Sequence, residues 1–121
     1  MSKNAKKSLL FMQTPQSIFD YKSELFESGF SSVTFASDEQ KVLKLIYKNS
    51  YDFIVCDLSA NIDDGIVFVK QLKKLKPEAN LYTFVKEEDE EKIGGFIDMG
   101  IHTFVLNAQQ FEQALETIAE F

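Results

Sequence analysis

One carboxylate in this sequence stands where chemistry is easily done. Asp57 directly follows the continuous apolar run Phe53-Ile54-Val55-Cys56, and a polar turn from Ser59 onward closes at Asp63-Asp64-Gly65. A buried strand that stops on a charge delivers that charge to the edge of a sheet, where a carboxylate serves as a nucleophile or as a hard oxygen ligand. The competing reading makes Asp57 an exposed strand-end residue whose oxygen caps the following turn. Asp63 and Asp64 read as turn or N-cap residues. Cys56 faces the opposite side of the strand from Asp57 and reads as a small buried hydrophobe, because a redox role requires an exposed, activated thiolate. His102 is a lone histidine at the start of a strand, with no cysteine or aspartate cluster about it. Metal-ligand spacing, a nucleophile triad and a glycine-rich phosphate loop are all missing from the sequence.

The elements that must position Asp57 follow from the spacing of apolar residues. After the basic tail of Lys3, Lys6 and Lys7, Leu9-Leu10-Phe11-Met12 has the length and character of a buried strand. Thr14-Pro15 then supplies an N-cap and a proline at the first helical position, and Ile18, Tyr21, Leu25 and Phe26 recur at helical spacing until Gly29. Residues 32–36 alternate through Val33 and Phe35, and Ser37 with Gln40 forms a capping-box pattern ahead of Val42, Leu45 and Ile46. Beyond Asp57, Gly65 opens a helix with Ile66, Val69 and Leu72 on one side; Lys70, Lys73, Lys74 and Lys76 give it a solvated face, and Pro77 ends it. Residues 81–85 form a fourth strand, and the acidic stretch 87–91 starts a helix where negative charge suits the N-terminal dipole. Gly94-Gly95 falls inside that helix, where each glycine costs roughly 1 kcal/mol relative to alanine. Residues 101–106 form a fifth strand, and Phe111, Leu115 and Ile118 line one face of a last helix.

Five strand-helix units in a row predict a doubly wound α/β fold with a parallel five-stranded sheet, flavodoxin-like order 2-1-3-4-5 and five helices. Ligands in such sheets sit beyond the carboxyl ends of strands one and three, so residues 12–15 and 57–65 border the expected site. The 121 residues suit one domain spanning 1–121, and a 45% hydrophobic content with twelve Phe and no Trp gives it a core rich in benzyl groups. A net charge of -6 and a pI near 4.8 oppose a nucleic-acid footprint. A single cysteine, no signal-peptide core and no bilayer-spanning apolar run set the expectation of a cytoplasmic chain without a membrane partner.

The segment Asp57-Leu58-Ser59-Ala60-Asn61-Ile62-Asp63-Asp64-Gly65 resembles the CheY-like receiver domain of bacterial response regulators, in which a phospho-accepting aspartate precedes an Asp-Gly pair by a fixed interval. Gly29-Phe30 and Met99-Gly100 fall where that family places glycines after its first and fourth helices, and the similarity runs through essentially the whole chain. The resemblance implies two-component phosphorelay signalling with Asp57 as phosphoacceptor, Mg²⁺ and a lysine as charge-neutralising helpers, and signalling proteins as partners. The helper positions depart from the pattern. The family's acidic pair falls at Met12-Gln13, or Gln13-Thr14 one register on; its hydroxyl residue falls at Val85, its lysine at Asn107, and its following proline at Ala108. Mg²⁺ requires hard, preferably anionic oxygens, so the expected binding is weak or absent. Lys86, one residue beyond Val85 on the neighbouring loop, is a candidate substitute cation, against the commoner reading of a loop lysine as solvated.

The resemblance with these departures points to an atypical receiver, a pseudo-receiver, that works through protein-protein contacts. Its enzymatic capacity is at most aspartyl autophosphorylation from a phosphodonor. The partners implied are a histidine kinase, a downstream output protein or a second copy, docked on the surface of the fourth helix, fifth strand and fifth helix. The alternative is a working phosphoacceptor phosphorylated on Asp57. A flavodoxin-like domain for a small anion or nucleotide is disfavoured, since Gln13-Thr14-Pro15-Gln16 has no glycine for close backbone approach.

Overall fold

The computed structural model describes residues 8–13, 30 and 32–106. Five parallel strands form one sheet in the order β2-β1-β3-β4-β5: β1 Ser8–Met12, β2 Ser32–Ala36, β3 Phe53–Asp57, β4 Leu81–Lys86 and β5 His102–Leu106. This is the predicted α/β doubly wound order, with the strand sequence reversing direction between β1 and β3. The predicted helices between β1 and β2 and after β5 lie outside the described residues.

Strand alternation divides the core in two. Leu10, Met12, Ala36, Ile54, Cys56, Leu81 and Val85 point to one face and pack with Val42 and Ile46 of α1, Glu39–Lys48, and with Ile62, Phe68, Val69 and Leu72 of α2, Ile62–Leu75. Leu9, Phe11, Phe53, Val55, Tyr82 and Phe84 point to the other and form an aromatic layer with Phe30, Phe35 and Phe104 packed on it. Its phenylalanine rings meet edge-on or tilted at 5.8–6.2 Å, as for Phe11 with Phe84 at 6.0 Å and Phe30 with Phe53 at 5.8 Å, while Tyr82 stacks on Phe104 at 6.2 Å. These offset geometries suit the ring quadrupoles, and they account for the abundance of Phe.

Three local expectations are corrected. The cap of α1 is Asp38, whose carboxylate accepts the Lys41 N–H at 2.8 Å, so Ser37 is one residue too early to start the helix. The helix after Asp57 begins at Ile62 on an Asn61 cap, three residues before Gly65. Asn61 Oδ1 accepts from Asp64 N–H at 3.2 Å while its amide donates to Asp64 Oδ2 at 2.8 Å, a reciprocal capping arrangement. Gly65 instead lies against Leu58, whose Cδ2 would be 2.7 Å from an added Cβ. The predicted fourth helix is two 3₁₀ segments, η1 Glu87–Ile93 and η2 Ile97–Met99, separated by Gly94-Gly95-Phe96. Paired glycines and a crowd of like charges at helical spacing both disfavour a continuous α-helix there.

Candidate functional site

In each parallel strand-helix unit the strand's carboxyl end and the next helix's amino end share one edge of the sheet. That edge carries Met12 and Gln13 from β1, Asp38 and Glu39 from the start of α1, Asp57 from β3, and Asn61 and Asp64 from the start of α2. Met12, Asp38, Glu39, Asp57, Asn61 and Asp64 line a cleft of about 440 Å³, together with Gln40, Leu58, Ala60 and Gly65. None of these lining residues is cationic.

Asp57 is the last residue of β3 and is only 2% exposed, so the expectation of an exposed strand-end residue is corrected. The ladder continues past it, Leu58 N–H donating to the Phe84 carbonyl at 2.8 Å, which draws Asp57 below the rim. Its Oδ1 accepts the Ser59 N–H at 2.9 Å, the turn-capping interaction that a short acidic side chain favours. Ser59 is equally buried. Capping and chemistry are therefore combined in one residue: the turn holds one carboxylate oxygen and so fixes the direction of the other.

Glu39 contributes to the field of the cleft. Partial burial first, then the neighbouring carboxylates of Asp64 and Asp38, push its carboxyl above the ordinary value of 4.5. Glu39 and Asp38 are missed by the motif reading because they carry no family signature. Parallel topology is the signal that finds them, since any residue heading the helix after β2 must border the same edge. Cys56 is fully buried beneath the site, and burial, with Glu39 and Asp57 adding to it, pushes its thiol far above the ordinary range; it is an inert hydrophobe. His102 stacks on Tyr82 at 4.8 Å, at the opposite end of the strands from Asp57.

The helper positions fall as follows. Met12 is buried in the core and Gln13 continues β1, its N–H donating to Ala36 at 3.0 Å. Val85 is fully buried on the Cys56 face, turned away from the side of the sheet that Asp57 continues. Asn107 lies outside the described residues. Lys86 is the last residue of β4 rather than a loop residue, which corrects its expected placement. Its Nζ lies 3.3 Å from Glu88 Oε1 and 4.0 Å from Asp89 Oδ2. The Mg²⁺ that the resemblance implies does not fit the donors found: β1 ends without a carboxylate, and among the described residues no three His, Cys, Asp or Glu side chains converge to hold a metal ion.

A five-stranded doubly wound sheet with a buried carboxylate at its switch point places any ligand beyond the ends of β1 and β3. A family model for the response regulator receiver domain matches residues 13–119, and the chain belongs to that family. Solved structures agree on the fold. The receiver domain of NtrC4 from Aquifex aeolicus superimposes with a TM-score of 0.70 at 19% identity, covering 94% of this chain and 97% of the other. An uncharacterised protein from Neptuniibacter caesariensis gives 0.72 at 18% identity, covering 97% and 87%. A structure described as adenylate cyclase from Rhodopirellula baltica gives 0.68 at 13% identity, covering 95% and 88%. No curated protein matches the sequence at a significant level. Among the described residues no helix is long and apolar enough to cross a membrane.

Proposed function

We propose that this chain is an atypical receiver that works in two-component signalling by protein-protein contact and takes a phosphoryl group on Asp57 weakly or not at all. The observation that carries this reading is the charge of the cleft: Asp38, Glu39, Asp57 and Asp64 line it, and among the described residues that line it none is a cation. Phosphoryl transfer to a carboxylate accumulates negative charge on the transferred group, and catalysis consists mainly of neutralising that charge with preorganised donors. Carboxylates in the cleft that no metal ion or cation neutralises raise the barrier instead. The partner would be a histidine kinase, an output protein or a second copy in the cytosol. Ile93, Ile97, Ile101 and Val105 line an open groove of about 520 Å³ between the 3₁₀ segments and β5, and the 84% exposed Ile97 offers a contact there.

The test is intact-mass spectrometry after incubation with an acyl phosphate and Mg²⁺, beside an Asp57→Asn control. The expected result is no adduct on the wild type. Stoichiometric, Asp57-dependent addition would replace this reading with that of a working phosphoacceptor. If nothing is added, Met12→Asp, Gln13→Asp and Asn107→Lys together should restore reactivity, by supplying carboxylates for Mg²⁺ and a cation. Failure of that variant, if folded, would mean that these positions are not the helper positions.

A further inference from the structure

The groove beside β5 combines an apolar lining with charge of one sign around it. Ile93, Ile97, Ile101 and Val105 line it over about 520 Å³, and Ile97 is 84% exposed. Apolar surface held open to water on an ordered segment rewards any partner that covers it. Glu90 lines the groove as well, and Glu88, Glu91 and Asp98 stand exposed on the same two 3₁₀ segments. The sequence shows the same asymmetry. Lys92 is the only Lys or Arg from residue 87 to residue 121, against nine Asp and Glu, whereas residues 1–86 carry twelve lysines against ten acids. The excess negative charge of the chain therefore belongs to the stretch that builds the groove and follows it.

We infer that this groove seats a basic, amphipathic segment of a partner protein, with apolar side chains against the isoleucines and Lys or Arg opposite the acids of η1 and η2. The inference rests on the proposed reading that this receiver works by protein-protein contact. The bases near the groove are already engaged. Lys92 lies 3.8 Å from Asp89 and 3.9 Å from Asp63, and Lys86 lies 3.3 Å from Glu88 and 4.0 Å from Asp89. These pairs form an ion chain from the end of β4 through η1 to the first turn of α2, and Glu90, Glu91 and Asp98 stand outside it. Lys70 and Lys73 of α2 come near Gly95 and Gly100, but neither lines the groove, and Lys73 donates to the Ala79 carbonyl at 3.0 Å. Residues 107–121 contain three glutamates and no Lys or Arg, so wherever that segment lies it adds no positive charge. The basic tail of Lys3, Lys6 and Lys7 has no Ile, Leu, Val or Phe among residues 1–7 to seat. A second copy bound through the same face would set one acidic rim against another, which like-charge repulsion opposes, whereas complementary charge speeds encounter and selects the partner.

The experiment measures binding of synthetic peptides to the full chain by fluorescence anisotropy. One peptide carries leucines at helical spacing with lysines between them, a second has glutamates in place of the lysines, and a third has the lysines without the leucines. The first is expected to bind about tenfold more tightly than either of the others, and less tightly as salt is raised. Glu90→Lys should weaken it about fivefold, and Glu78→Lys, the same charge change outside the groove, by less than about twofold. Ile97→Gln, which removes the apolar anchor without adding charge, should also weaken it about fivefold. Equal binding of the first two peptides, or of the first and third, overturns the inference, as does a Glu90→Lys effect no larger than that of Glu78→Lys. The comparison of peptides on the wild type decides even where a variant fails to fold. Self-association in sedimentation velocity that Ile97→Gln abolishes would put a second copy in the groove and overturn the inference while leaving contact-based signalling in place. Stoichiometric phosphorylation of Asp57 in the intact-mass assay overturns the proposed function and leaves the peptide preference to be judged by its own result.

Discussion

Asp57 shows how one residue meets two demands. Its Oδ1 is committed to the Ser59 N–H, while strand β3 carries it to the floor of an acidic cleft. Glu39 is the neighbour whose titration reports that crowding. Its carboxyl is raised in the folded state, so the native protein holds the Glu39 proton more tightly than the unfolded chain does. Stability from this group is greatest below the ordinary value of 4.5 and is lost as pH rises through the raised value. Glu39→Gln should therefore flatten the fall in stability between 4.5 and the raised value, read by urea titrations at several pH values against wild type. A pH dependence identical in both proteins would show that the cleft does not crowd Glu39. Gly65 makes a separate prediction. Because an added methyl would meet Leu58 Cδ2 at 2.7 Å at a buried helix-strand contact, Gly65→Ala should destabilise by about 1–3 kcal/mol in the same assay.

At the scale of elements, the interruption between η1 and η2 weakens the hydrogen bonding of this stretch of chain. Three-ten segments make poorer hydrogen bonds than an α-helix and rarely run long, and here the residues between them include two glycines. Gly94 has φ −57 and ψ −27, ordinary right-handed helical values, and nothing stands within 4 Å of where its Cβ would be. Gly94→Ala should therefore stabilise by about 0.4–1 kcal/mol, mainly by restricting the unfolded chain. In wild type, the Phe96 and Ile97 amides should exchange with solvent well before those of Ile54 and Val55, which lie in the buried central strand β3. Equal protection in hydrogen-exchange mass spectrometry would show that η1 and η2 are as firmly held as the sheet.

At the scale of the whole molecule, one edge of the sheet gathers the acidic cleft, and the flank at β5 carries the apolar groove. Ile97→Asp should leave the urea midpoint close to that of wild type, because the side chain is 84% exposed, and should weaken any association seen by sedimentation velocity. Unchanged association would remove the groove from the contact surface. Much of this molecule was legible in its residues. The apolar runs at Leu9, Phe53 and Leu81 specified buried parallel strands, since a strand covered on both faces has no polar side to show. The order of units then implied the sheet topology and put Asp57 at its switch point. Tertiary structure alone decided the rest. Val85 turned into the core and Lys86 toward Asp57's side because strand register, which depends on long-range pairing, sets the face of each side chain. Asp38, Glu39 and Asp64 became neighbours of Asp57 because separate strand-helix units converge at a common edge. The ion chain from Lys86 to Asp63 joins residues whose spacing along the chain carries no signal; it exists because η1 packs across from α2, and only folding brings those charges together.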